Sequence, residues 1–175
     1  MPDEDDANLT ALAEEIQQGR DAIAVPGELL EEPALPAAPH RSWQDKIRAM
    51  RVGERLKLAL KGNRDVRTLL LRDSNRLIQR FVLQNPRISD EEVIALAKNR
   101  NIEHELLEDI CRRKEWVSNY QVRLSLATNP KTPVMIALRF VPTLQARDLR
   151  QIAKSKNVPS AINGMAKRLV IDRGG

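Results

Sequence analysis

Cysteine occurs once in this chain of 175 residues, at Cys111, so no intramolecular disulfide and no thiolate metal cluster can form. Histidine occurs only at His40 and His104, too few for a histidine-based triad or a paired-histidine metal site. The seven glycines are scattered and none precedes a lysine-serine or lysine-threonine pair, which excludes a glycine-rich phosphate loop. Five aromatic side chains in the whole chain argue against recognition of single strands by base stacking. No apolar run reaches the ~18 residues a membrane-spanning helix needs. The start, Met1-Pro2-Asp3-Glu4-Asp5-Asp6, is the opposite of a secretory signal, so a reducing cytoplasm is the expected location. These absences predict a protein that is not an enzyme and carries no cofactor or metal.

Charge is plentiful and unevenly placed. Residues 1–41 hold ten acidic and two basic side chains, whereas residues 42–175 hold fourteen acidic and twenty-seven basic, and the net +5 is their sum. Five of the ten prolines, Pro2, Pro26, Pro33, Pro36 and Pro39, also fall in the first segment. Proline removes backbone donors, and high charge opposes collapse, so residues 1–41 read as an acidic, largely disordered tail. Within it Leu9, Leu12, Ala13 and Ile16 recur at helical spacing over residues 8–18. This short amphipathic helix is marginal alone, and the segment reads as a solubilising tail, a docking peptide or an intramolecular lid.

From Ser42 onward, helical signals succeed one another with short breaks, and nothing alternates with period two. Residues 42–175 are therefore predicted to be one basic all-α domain. Ser42 is a cap for a helix to about Lys61, ended by Gly62-Asn63. Helices follow over 66–71 and 77–83 with a break near Asp73-Ser74-Asn75. Ser89-Asp90-Glu91-Glu92 is a capping box that opens 93–98. Asn101 is a candidate cap for 106–112, and 116–127 is periodic. Thr132-Pro133 joins a capping hydroxyl to a first-turn proline ahead of 134–141, and helices over 144–153 and 159–171 close the chain.

Asn63, Asn85, Asn99, Asn129 and Asn157 each sit at a break, with irregular intervals. The closest internal pair is Leu83-Gln84-Asn85-Pro86-Arg87-Ile88 and Ala127-Thr128-Asn129-Pro130-Lys131-Thr132. Through Asn129-Pro130-Lys131-Thr132-Pro133 and the apolar helix after it, the chain resembles the HEAT and leucine-rich-repeat-variant helical-repeat proteins over roughly residues 63–170. It is also similar to a bacterial protein family that supplies no activity. The resemblance implies short helices stacked as an α-solenoid with a curved surface. Variant-repeat proteins can carry a cysteine-rich iron–sulfur segment, and this chain has none.

Three basic triplets have spacings that place them on one helical face: Arg48, Arg51 and Arg55; Arg72, Arg76 and Arg80; Arg147, Arg150 and Lys154. A fourth cluster, Arg112-Arg113-Lys114, precedes Trp116 and Tyr120, which read as core anchors or as a stacking platform. The same cluster beside Cys111 opens a choice between a reactive, low-pKa thiol and an inert one. Glu103-His104-Glu105 reads as a solvated first turn rather than a proton shuttle.

The basic residues are the candidate partner surface. The expected function is a helical-repeat scaffold or adaptor that binds another protein. The alternative is RNA or DNA binding through phosphates, with the acidic tail as internal competitor. A third option is an anionic second messenger or lipid headgroup held by an arginine cluster.

Overall fold

The computed structural model describes residues 4–32 and 41–174. Pro2, Pro33, Pro36, Pro39 and His40 lie outside the described residues, as does the side chain of the proposed cap Ser42. Twelve α-helices and no strand are present among the described residues, so the all-α expectation holds. The chain divides into two compact units, residues 1–88 and 89–175.

The first unit contains α1 (Glu4–Gln17), α2 (Arg41–Ala49), α3 (Val52–Lys61), α4 (Arg64–Leu70) and α5 (Arg76–Val82), with a 3₁₀ turn at Gly27–Leu29. The largely disordered tail expected from the prolines is not found in residues 4–32. The amphipathic spacing that suggested a marginal helix has a partner: Ala13 and Ile16 are buried in one cluster with Leu29, Leu56, Leu60, Val66 and Ile78. Tertiary burial supplies what an isolated fourteen-residue helix lacks.

The helix expected from Ser42 to Lys61 is two helices. Arg51 is extended at φ −64° and ψ 156°, and its N–H donates to the Glu54 carboxylate at 2.7 Å. That closes half of a capping box, because an arginine side chain has no acceptor for the other half. Gly62 ends α3 as expected. A Cβ there would lie 2.3 Å from the Leu58 carbonyl oxygen and 2.9 Å from Val66 Cγ1, which explains the glycine.

The second unit contains α6 (Asp90–Lys98), α7 (His104–Arg112), α8 (Lys114–Val117), α9 (Tyr120–Thr128), α10 (Val134–Phe140), α11 (Ala146–Lys154) and α12 (Ser160–Asp172). Ser89 opens α6 with both halves of its capping box: Ser89 Oγ accepts from Glu92 N–H and Ser89 N–H donates to Glu92 Oε2. The helix expected over 116–127 is interrupted, because Asn119 Oδ1 accepts from Gln121 N–H at 2.9 Å and restarts the chain as α9. Two expected caps are not caps. Glu103, not Asn101, precedes α7, and Thr132 is buried with its hydroxyl unpaired while Pro133 precedes α10. Ala127, Ala137, Val141, Leu149, Ile152, Ile162 and Ala166 form a core that joins α9 to α12.

The two Asn-Pro motifs make the same bonds. Asn85 Nδ2 donates to the carbonyls of Ala59 and Gly62 at the end of α3, and its Oδ1 accepts from Arg87 N–H. Asn129 Nδ2 donates to Ala97 and Asn99 at the end of α6, and its Oδ1 accepts from Lys131 N–H. Asn163 likewise donates to Ile152, Ala153 and Ser155 at the end of α11. Each asparagine satisfies carbonyls that a helix end leaves without partners.

Candidate functional site

Residues 1–88 carry fourteen acidic and fourteen basic side chains, and the two kinds meet inside the first unit. Lys57 Nζ donates to Asp21 Oδ1 at 2.6 Å and to the Ile23 carbonyl. The Lys57 hydrogen bond holds the Asp21 carboxyl below its ordinary value against the opposing effect of burial, with help from Ile23 N–H. Arg67 is a buried arginine, 2% exposed, that donates to Glu32 Oε1 at 2.7 Å and to the Gly62 carbonyl at 3.1 Å. Burial pushes the Glu32 carboxyl up, but the bonds from Arg67 and from Arg64 N–H outweigh it and leave it below its ordinary value. Arg87 donates to the Leu30 carbonyl, and Asn63 donates to those of Glu28 and Glu31. Residues 28–32 of the acidic segment are thus held in the first unit by Asn63, Arg67 and Arg87. None of these three belongs to an arginine triplet; Asn63 and Arg87 lie at helix breaks, and nothing local in the sequence marked Arg67.

The same unit breaks two of the three predicted stripes. Arg48 lies on α2, Arg51 at the interruption and Arg55 on α3, where both Asp73 oxygens accept from Arg55 Nη1 at 2.6 and 2.7 Å. Arg55 is consumed by that internal pair. Arg72 lies in the turn after α4, which leaves Arg76 and Arg80 together on α5. A helical spacing defines a face only where the helix is continuous, and both triplets cross a break.

In the second unit, Arg112 pairs with Glu108 and Asp109, each at 3.3 Å, and the Arg113 guanidinium lies 4.4 Å from the Trp116 ring centre. Trp116 is buried, and Tyr120 donates its hydroxyl to Asp148 while accepting from Gln145 N–H. Trp116 is thus a core anchor, and Tyr120 is half-buried, packed against the core of the second unit and fixed at its polar end. Burial, helped by Glu108, pushes the Cys111 thiol up to about 12, although Arg139 acts in the opposite sense. The adjacent Arg112-Arg113-Lys114 run does not make it a thiolate. His104 is exposed in the first turn of α7.

The third stripe is intact. Arg147, Arg150 and Lys154 all lie on α11 and all are exposed. They belong to the most basic part of the chain: residues 116–175 carry ten basic side chains and two acidic ones, of which Asp148 is bonded to Tyr120.

Beside the stripe, α11 turns Asp148, Gln151 and Ile152, and Ser155 just after it, into an open groove of about 440 Å³. At 3.6 residues per turn this face lies about 120° around the helix from the stripe. Leu124, Ile152 and Val158 supply apolar surface, while Lys98 and Arg100 supply positive charge from the end of α6. The side-chain amides of Gln121 and Gln151 make no hydrogen bond among the described residues. Hydrophobic spacing carried the buried positions, but nothing in the sequence showed that α6, α9 and α11 converge.

Among the described residues no group of three or more histidine, cysteine or carboxylate side chains can hold a metal, and no helix is long and apolar enough to cross a membrane. No protein-family model, no curated protein and no solved structure matches this chain. Fold and site define an all-helical protein of two compact units, of which the second presents a cationic face and an open groove.

Proposed function

We propose that this chain is a non-catalytic cytoplasmic helical-repeat scaffold or adaptor that binds another protein through the basic surface of its second unit. The observation that carries the reading is the continuous exposed stripe Arg147, Arg150 and Lys154, set in a sixty-residue stretch with ten basic and two acidic side chains. The first unit, whose charges balance, supplies no comparable excess. Complementary charge raises association rates and rejects like-charged partners, and a rigid helix holds the three cations in fixed register.

The experiment is capture from native lysate by the full chain and by the triple variant Arg147→Glu, Arg150→Glu, Lys154→Glu, each with and without nuclease. Protein partners that survive nuclease and are lost in the variant support the reading. Partners that ignore the three charges overturn it. The same stripe suits phosphates, but Trp116 is buried and Tyr120 is packed against the core, which leaves little ring surface for base stacking. Titration of the full chain with mixed RNA and DNA at about 50 mM salt tests that alternative, since phosphate binding is strongest at low salt.

A further inference from the structure

We propose that the groove between α6, α9 and α11 is a peptide-binding site, and that its occupant is an acidic chain segment bearing an aliphatic side chain between carboxylates. This deepens the adaptor reading and rests on it. Charge complementarity selects the acidic partner. Lys98 and Arg100 stand on the α6 side, and exposed Lys156 follows Ser155 just past the end of α11. The one carboxylate of the lining, Asp148, accepts from the Tyr120 hydroxyl, and the two cations of the lining, Lys98 and Arg100, outnumber it, with Arg100 also donating to the Asn157 carbonyl at 3.5 Å.

The lining also selects a peptide over a nucleic acid. Leu124, Ile152 and Val158 are aliphatic, no lining residue is aromatic, and an unstacked base therefore finds no ring to cover it. An aliphatic side chain does find matching surface there. Gln121 and Gln151 hold amides that can donate to and accept from a peptide backbone, and no other described group uses them. The volume, about 440 Å³, falls in the range of sites that hold a few residues or one small ligand. The first unit shows the same chemistry within one molecule: Asn63 and Arg87 bind the backbone carbonyls of Glu28, Leu30 and Glu31, Arg67 binds the Glu32 carboxylate, and Leu29 fills an apolar site.

The test uses the full chain and a fluorescein-labelled peptide, Glu-Glu-Leu-Glu-Glu, followed by fluorescence anisotropy. Its controls are Glu-Glu-Ser-Glu-Glu and a single-stranded oligonucleotide of equal charge. The leucine peptide is expected to bind saturably and about tenfold or more tighter than the serine peptide, the effect of burying one aliphatic side chain. Arg100→Glu and Gln151→Glu, both exposed positions whose substitution leaves the melting temperature near that of the parent, are each expected to weaken binding about tenfold.

Three outcomes overturn the site: no saturable peptide binding, equal binding of leucine and serine peptides, or tighter binding of the oligonucleotide. Peptide binding that ignores Arg100→Glu and Gln151→Glu but is lost on charge reversal of Arg147, Arg150 and Lys154 also overturns it. That last result leaves the adaptor reading standing on the stripe. Loss of both effects removes the reading as well.

Discussion

Asn129 closes the end of α6 in the second unit. It is buried, and its amide donates to two carbonyls at the end of α6 at 2.8 and 2.9 Å while its oxygen turns the chain at Lys131. Truncation leaves buried acceptors without partners, so Asn129→Ala is expected to cost about 2–3 kcal/mol, read as a lower urea midpoint at unchanged slope.

Asp21 and Glu32 act on stability through protons. Both carboxyls titrate below their ordinary values of 3.8 and 4.5 because Lys57 and Arg67 bind the charged forms. Their contribution is complete above those ordinary values and is lost as pH falls through the lower folded ones. Stability of the first unit is expected to decline in acid below about pH 4.5, and Glu32→Gln to flatten that decline, in thermal melts across pH. Cys111 makes a simpler case. With its thiol near 12, reaction with a thiol reagent at pH 8 is expected to be slow in the folded chain and fast in urea.

At the scale of the element, the sequence was most legible where a local hydrogen bond decides the boundary. Ser89 and Glu92 are three residues apart and need nothing else to open α6, which is why that start was readable. Ser89→Ala is expected to cost about 1 kcal/mol in equilibrium unfolding. Spacing alone was less secure. It placed Arg55 on one face with Arg48 and Arg51, but Glu54 caps a new helix at Arg51, and Asp73, eighteen residues away, takes the Arg55 guanidinium. It succeeded for Arg147, Arg150 and Lys154 because α11 runs unbroken through all three.

At the scale of the whole molecule, residues 4–32 of the acidic segment are a structural part of the first unit. Leu29 and Ile16 are fully buried and Asp21 and Glu32 hold basic partners, so these residues are committed to the first unit. Removal of residues 1–32 is expected to destabilise the first unit by about 5 kcal/mol, from the lost burial of Ala13, Ile16 and Leu29. Calorimetry or circular dichroism of the truncated chain checks it, as loss or marked lowering of that unit's transition. A truncated chain that melts like the full one contradicts this account.

The sequence by itself determined the helical class, the lack of parts for histidine, thiolate or phosphate-loop chemistry, and most helix positions. These depend on residue counts, on hydrophobic period and on bonds between residues a few positions apart. Tertiary structure alone decided the fate of the charges. An ion pair such as Glu32–Arg67 forms between residues thirty-five positions apart, and no local pattern encodes that distance. Folding therefore tied Asp21 and Glu32 to basic partners inside the first unit, while the exposed cations of α11 stayed on the surface of the second. There the approach of α6, α9 and α11 set Lys98 and Arg100 beside an aliphatic surface that none of the three helices has alone.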